Sequence, residues 1–361
     1  MLKSLEVANF RSLQSLSVHK LRRVNIVTGR NGAGKTSLLE AVFLNAGTAN
    51  AALVFTVNAF RGENSIGPDS DRYFRALFHD QDASKPIRIS CDESRAARGS
   101  KGRSLVIDPI WQTRVAPGRS AGARVVSGVR LTFKGPAGER TSFAEWNDPL
   151  ATSQLPSGVP VAPPIRLEGP SDHKDLIYGQ FISPYIRDLY AETRDQLREQ
   201  IRNKSMENLL RVVNIVEPAV KNIVPLSEGN DTIIYVDVGQ SQLLPLSSLG
   251  SGFFHVLRLA LAMAAIEKGL VLVDEIEDGL HYSVMGRVAD AIMEKAGTSD
   301  AQFFISTHSN EMLNIFVQAA KDAKFEDICL INIAGKGERT TVRYFDPEEL
   351  DFAMSAESEL R

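Results

Sequence analysis

The sequence predicts an α/β fold with a mixed central sheet that carries a phosphate-binding loop and is interrupted by a strand-rich, basic insertion. Three observations predict it. The apolar run Val24-Asn25-Ile26-Val27-Thr28 breaks into Gly29-Arg30-Asn31-Gly32-Ala33-Gly34-Lys35-Thr36 and continues as Ser37-Leu38-Leu39-Glu40-Ala41-Val42-Phe43, which reads as strand, glycine-rich turn and amphipathic helix. A second apolar run, Leu270-Val271-Leu272-Val273, ends in Asp274-Glu275. A third, Phe303-Phe304-Ile305, ends in Ser306-Thr307-His308-Ser309. Continuous apolar strands of this kind belong to buried parallel sheet, and the polar groups at their ends lie where open α/β sheets collect ligands.

The first run fits G-x-x-x-x-G-K-[ST], with Gly29, Gly34, Lys35 and Thr36 at the fixed positions. Glycines let the backbone turn successive N–H groups inward on a polyphosphate, and the following helix presents its positive end to the same anion. The loop residues Gly29, Arg30, Asn31, Gly32, Ala33, Gly34, Lys35, Thr36 and Ser37 are therefore expected to bind a nucleoside triphosphate. Lys35 would reach the β- and γ-phosphates, and the Thr36 hydroxyl would ligate Mg²⁺. Asp274 is expected to hold Mg²⁺, through water, and Glu275 to act as general base on the attacking water. Acidic pairs at strand ends also cap helices, but here the pair shares a chain with a complete phosphate loop. His308, ending a neighbouring strand, is expected to contact the γ-phosphate.

Composition sets the bounds. At 361 residues the chain suits two domains, or one with a large insertion. Its 43% apolar and 24% charged residues are ordinary for a globular protein, and a net charge of −3 gives no global pull toward nucleic acid. Cys91 and Cys329 lack metal-ligand spacing and suggest a reducing compartment. The N-terminus lacks the apolar core of a signal peptide. The most apolar stretch, 256–276, is interrupted by Arg258, Glu267, Lys268, Asp274 and Glu275. These features predict a cytoplasmic protein with no membrane partner.

In chain order, 2–10 and 13–18 alternate as two strands joined by a turn, and 24–28 is the strand that delivers the loop. Segments 51–60 and 73–78 read as helical or mixed, separated by a turn-rich stretch at 62–69. Between 85 and 140, strand-like runs at 87–90, 105–107 and 125–133 sit among Gly, Ser, Pro and Arg, with twelve Lys/Arg against four Asp/Glu. Such a lobe suits the phosphates of duplex DNA. It suits solvated loops or a face toward an acidic protein better, since no aromatic ladder accompanies the arginines. Residues 154–170 are Pro-rich and read as an extended linker, 185–216 as a pair of amphipathic helices that Pro218 ends, and 232–238 as a strand. A helix and strands at 328–333 and 340–345 follow His308. The expected divisions are 1–48 (first part of the head), 49–174 (insertion and return linker) and 175–361 (helical lobe and second part of the head).

Together, Ala8-Asn9-Phe10-Arg11-Ser12, the phosphate loop, the DEIEDGLHYS stretch at 274–283 and the STHS stretch at 306–309 resemble the ABC-type P-loop ATPases of the RecF, SMC and OLD group. They most resemble the small prokaryotic AAA-family ATPases of the AAA-15 and AAA-21 kind. The resemblance covers residues 1–48 and 175–345. It implies an ABC-type P-loop NTPase head that forms a homodimer closed by ATP, each nucleotide lying between the loop of one subunit and a signature turn of the other. The matching turn here is Leu246-Ser247-Ser248-Leu249-Gly250-Ser251-Gly252. It departs from the usual Ser-Gly-Gly-Gln form, so either Ser248 with Gly250 or Ser251 with Gly252 would supply the contact. The resemblance further implies that 279–281 crosses the dimer interface, that His308 is the switch histidine, and that Gln180 senses Mg²⁺ and water. Neither long coiled-coil arms nor a Toprim-type nuclease fits the chain. Two functions follow: a DNA-sensing or DNA-loading clamp in repair or anti-phage defence, or an ATP-gated scaffold that controls a separate effector such as a nuclease or toxin.

Overall fold

The computed structural model describes residues 1–63, 70–93, 102–114, 122–146, 165–170, 172, 174–184, 189–229, 231–335 and 341–345. Strands β1 (Leu2–Phe10), β2 (Leu13–Val18) and β3 (Val24–Gly29) lead to helix α1 (Lys35–Ala46), then α2 (Leu53–Ala59) and α3 (Ser70–Arg75). Five strands follow, β4 (Ile87–Glu93), β5 (Arg103–Arg114), β6 (Ala123–Gly135), β7 (Gly138–Trp146) and β8 (Ile165–Glu168). Next come β9 (Gly179–Ile182), α4 (Leu189–Arg202), α5 (Met206–Val216), β10 (Asn222–Glu228), β11 (Asp231–Asp237) and β12 (Leu244–Pro245). A 3₁₀ turn (Leu246–Leu249) then opens α6 (Gly250–Ala265), β13 (Lys268–Val273), α7 (Tyr282–Thr298), β14 (Asp300–Ser306), α8 (Asn310–Asp322), β15 (Ile328–Ala334) and β16 (Thr341–Phe345).

The central sheet runs β16-β15-β3-β14-β13-β9, parallel except at β16. Both of its faces are covered, which is why its strands read as unbroken apolar runs. Val271, Val273, Phe303, Ile305, Val24 and Ile26 enter a core shared with α5 to α8, whereas Leu270, Leu272, Phe304 and Val27 enter a second core with α1 and the outer sheet. That outer sheet is antiparallel, in the order β2-β1-β4-β5-β6-β7-β8. Strands β4 to β8, which fall inside 49–174, thus extend a sheet that begins with β1 and β2 of the first segment and share its core.

Buried amides join the two sheets. The Gln302 side chain accepts from Leu2 N–H at 2.8 Å and donates to Leu2 O at 2.9 Å and Arg22 O at 2.8 Å. Buried polar groups persist where every hydrogen bond is made, and Gln302 makes all three to backbone.

Within 154–170, residues 165–168 form β8, paired with β7 at the sheet edge, so this part of the expected linker is strand. Residues 154–164, the turn at 64–69, Tyr185 and Thr340 lie outside the described residues. The small sheet β10-β11-β12 stands under the helical lobe. Residues Leu246–Ala265 are long and apolar enough to cross a membrane by length and composition. Here α6 is a core helix, with Val256, Leu257, Leu259, Ala260 and Met263 buried. Cys91 and Cys329 are both buried and unpaired, and burial pushes both thiols up to about 12.

The expected basic lobe is altered by pairing. Arg103 is almost fully buried, bonded to Asn45 and ion-paired with Glu93 at 3.2 Å. Arg140 is buried between Asp172 at 2.8 Å and Asp175 at 3.1 Å. Lys134 pairs with Glu139 at 3.0 Å, and Arg124 lies over the Trp111 ring, 4.5 Å from its centroid. Arg95, Arg98, Lys101 and Arg119 fall outside the described residues. A count of charges along the chain does not see that several arginines hold the sheet together from within.

Candidate nucleotide site

Strand β3 delivers the phosphate loop between β14 and β15, in the middle of the sheet. Two glycines make the loop geometry. Gly29 has φ +146°, and a Cβ there would lie 2.4 Å from the Ile333 carbonyl oxygen of β15; Gly34 has φ +109°, and a Cβ would strike Leu13 at 2.4 Å. Any side chain at either position would push the loop off its neighbours. Helix α1 begins with no side-chain cap and no acidic residue in its first turn, so its free N–H groups face the loop unneutralised. The Lys35 ammonium donates to Gly29 O at 2.9 Å and Arg30 O at 3.4 Å, which turns it into the loop. Burial lowers its pKa, against the opposing pull of Glu275, Asp274 and Glu277.

Asp274 leaves the end of β13 almost fully buried. Its carboxylate accepts from Thr36 Oγ1 at 2.9 and 3.1 Å and from Ser306 Oγ at 2.6 Å. Burial raises its pKa, and the hydroxyls of Ser306 and Thr36 oppose that rise. A buried carboxylate beside a hydroxyl is a hard-oxygen donor pair that fits Mg²⁺, and the loop's glycines and uncapped helix fit a polyphosphate.

Glu275 sits in the left-handed region at φ 52°, a conformation costing about 1–2 kcal/mol for a non-glycine residue. It is held there by Ser306, whose Oγ accepts from Glu275 N–H at 2.8 Å and whose carbonyl accepts from Ile276 N–H at 3.1 Å. Burial and then the Asp274 charge raise the Glu275 pKa; His308 and Lys35 pull it back. His308 follows β14 and is half exposed, with Nδ1 2.9 Å from Glu277 Oε1 and its backbone N–H donated to the same oxygen at 2.8 Å. Lys35, Thr36, Asp274, Glu275 and His308 are thus brought together at the C-terminal ends of β3, β13 and β14.

Gln180 is not among them. It lies within β9 opposite Val271, three residues before Asp274 and so about 10 Å down the strand at ~3.3 Å per residue. Its side-chain oxygen accepts from Gln196 of α4 at 3.2 Å. The signature candidates lie beside the loop that follows Glu275. A Cβ on Gly252 would sit 3.0 Å from Gly279 O, and Gly250, Ser251, Gly252, Gly279, His281 and Ser283 line one cleft of about 550 Å³. Ser248 lies in the preceding 3₁₀ turn, outside that lining.

Sequence reasoning assigned no role to Ser306, Glu277, or a buried ion-pair cluster behind α1. Glu40, fully buried, lies 3.0 Å from Arg11 Nε and accepts from Arg61 Nε at 2.7 Å and Nη2 at 2.9 Å. Arg61 also donates to Ser37 Oγ at 3.2 Å, and Ser12 Oγ is 3.0 Å from Ser37 Oγ. One signal was available: Glu40 is a single carboxylate within an otherwise apolar helix.

The AAA ATPase domain family model matches residues 1–209, more than half of the chain. This protein belongs to the AAA ATPase domain family. A second AAA domain model, whose description names the AbiEii toxin of type IV TA systems, matches residues 170–314. The chain is 20% identical over 344 residues to an ATP/GTP phosphatase of Helicobacter pylori, covering 90% of each protein. It is 26% identical over 145 residues to the DNA replication and repair protein RecF of Idiomarina loihiensis, covering 40% of this chain and 37% of RecF. Two solved structures share the fold: an Smc head bound to the C-winged helix domain of ScpA (TM-score 0.51, 14% identity, 98% of this chain and 99% of that one) and an Smc head from Pyrococcus furiosus bound to the C-terminal domain of ScpA (TM-score 0.53, 12% identity, 98% of each). The AAA ATPase thus shares its fold with SMC heads.

Proposed function

We propose that two copies of this AAA ATPase close around two molecules of ATP, hydrolyse them to ADP and phosphate, and act as a clamp that senses or loads onto DNA. The observation that carries the reading is the convergence of Lys35, Thr36, Asp274, Glu275 and His308 at the ends of three adjacent parallel strands. Lys35 supplies charge at the terminal phosphates. Thr36 and Asp274 would hold Mg²⁺, which when bound supplies charge neutralisation at the phosphate oxygens. Glu275 orients the attacking water and accepts its proton, a role that its raised pKa suits. His308 steadies the γ-phosphate. The turn at 250–252 and the loop at 279–283, side by side in one cleft, supply the face that a second copy would meet.

The likeness to the DNA replication and repair protein RecF supports DNA as the ligand. A second reading is favoured by the internal pairing of Arg103 and Arg140 and by the ScpA domain seen on the neighbouring head: the dimer holds a separate effector protein. Turnover measured with and without duplex DNA, in low and physiological salt, separates the two. Stimulation that fades steeply with salt supports the clamp; turnover indifferent to DNA supports the scaffold. Light scattering after size exclusion tests closure: Glu275→Gln with ATP should run as a dimer and Lys35→Ala as a monomer. A Glu275→Gln variant that hydrolyses ATP at the unmodified rate overturns the role given to Glu275.

A further inference from the structure

We infer that Glu277 is a positioning residue that holds His308 at its Nδ1 side and turns Nε2 outward as the nitrogen that meets the γ-phosphate. The inference rests on the role proposed for His308. Glu277 is nearly buried, at 9% side-chain exposure; its Oε1 accepts the His308 backbone N–H at 2.8 Å and lies 2.9 Å from the imidazole Nδ1. Its Oε2 is buried with no hydrogen-bond partner among the described residues. The carboxyl group therefore makes its polar contacts with one residue alone. A carboxylate oxygen accepts, so it faces a proton on Nδ1 and leaves Nε2 as the outward nitrogen of the ring. Carboxylates that hold ligating or catalytic histidines set the tautomer and ring direction in the same way.

The placement of Glu277 adds a coupling. It lies two residues after Glu275, in the loop that continues through Gly279 to the cleft beside Gly252, and its carbonyl accepts from Leu280 N–H at 3.1 Å. One hydrogen bond and one close ion-pair contact to the same oxygen hold the backbone of His308 and its ring, so a shift of the 275–281 loop carries the histidine with it. His308 thus follows the state of the loop facing the second copy.

The test is a double-mutant cycle on the full chain with ATP and Mg²⁺. Removing a carboxylate that orients a functional histidine typically costs 10- to 100-fold, so Glu277→Ala should lower kcat by about that factor with KM within twofold. Glu277→Gln, which keeps an acceptor oxygen, should recover most of the loss. In a His308→Gln background, Glu277→Ala should cost nothing further, because residues acting through one another are not additive. Losses that multiply overturn the positioning role while leaving His308 functional. Unchanged turnover in His308→Gln alone overturns the reading of His308 itself. Nitrogen chemical shifts of the imidazole give an independent readout. The His308 signal, assigned by its loss in His308→Gln, should report a protonated Nδ1 in the unmodified protein and a mixture in Glu277→Ala; an Nδ1 without its proton in the unmodified protein overturns the proposal.

Discussion

Replacing Glu40 by Gln should destabilise the protein more than its position in a helix suggests. Glu40 is fully buried and serves two cations at once: Arg11, whose side chain is only 6% exposed, and Arg61, which is about one-third exposed. Burial lowers the Arg11 pKa and the Glu40 charge opposes this, so Arg11 keeps its charge in the core at the expense of that one carboxylate. Glutamine retains shape and one acceptor but leaves Arg11 as an uncompensated buried cation. Breaking a buried pair from one side costs about 3–5 kcal/mol. With an unfolding entropy near 2.1 cal/mol/K per residue, that corresponds to a Tm lower by about 4–7 °C for a chain of 361 residues. Differential scanning calorimetry reads it directly. Arg61→Ala serves as the control: it leaves Glu40 paired with Arg11, and because Arg61 is partly solvated the loss should be about 1 kcal/mol. Glu40→Gln melting within a degree of the unmodified protein, or no lower than Arg61→Ala, would refute the reasoning. Arg61 also lies within electrostatic reach of Asp274, so the same substitution should weaken nucleotide binding as well as the fold.

Three further outcomes are expected. Gln302→Leu strands Leu2 N–H, Leu2 O and Arg22 O, and should cost about 2–4 kcal/mol in chemical denaturation, with early hydrogen exchange at Leu2. Gly29→Ala would press a methyl group onto the Ile333 carbonyl at 2.4 Å and should abolish ATP binding by isothermal titration while leaving the far-ultraviolet spectrum unchanged. His255 of α6 is buried and has its pKa lowered to about 4, first by burial and then by Arg258 of its own helix, against Asp278 and Glu277 of the facing loop. Because the folded pKa lies below the ordinary 6.5, the unfolded chain takes up the proton first, and stability falls as pH drops through the window from 6.5 to 4. Between pH 6.5 and 5 the His255 share should be about 2 kcal/mol, measured as the difference between the unmodified protein and His255→Gln in urea titrations at the two pH values.

The parts of the fold and site legible in the sequence are those written into one short segment each. Strand β3 with its glycine turn, β13 ending in Asp274-Glu275, and β14 ending in Ser306 and His308 all carry their pattern within a dozen residues, and a parallel sheet needs little else to bring its strand ends together. Features that depend on pairs far apart in the chain were not legible. Nothing near Glu277 announces that it holds a residue 31 positions away, nor that Arg61 reaches back 21 positions to Glu40. The pairing of β4 onto β1, which merges the insertion with the N-terminal hairpin, is a contact between segments more than eighty residues apart. The place of Gln180 was not legible because a glutamine at the start of a strand and one at its end look alike until register is known; here β9 begins at Gly179, which sets Gln180 opposite Val271. The count of arginines leaves the insert's role open for a related reason, since composition does not distinguish Arg103 beneath the sheet from Arg88 on its surface.

The position of β3 bears on how the protein is made. Both of its hydrogen-bonding neighbours come from the far end of the chain, β14 at 300–306 and β15 at 328–334. During synthesis the Val24–Gly29 segment therefore waits for almost three hundred residues before either partner leaves the ribosome. At about 5–20 residues per second that is on the order of 15–60 s with an apolar strand and a phosphate loop unformed. The N-terminal hairpin and β4 to β8, which pair only with one another in their sheet, are synthesised long before. Nucleotide binding is consequently a property of the finished chain: a product ending before β15 would carry the whole glycine-rich loop and still lack the strand that gives the loop its shape.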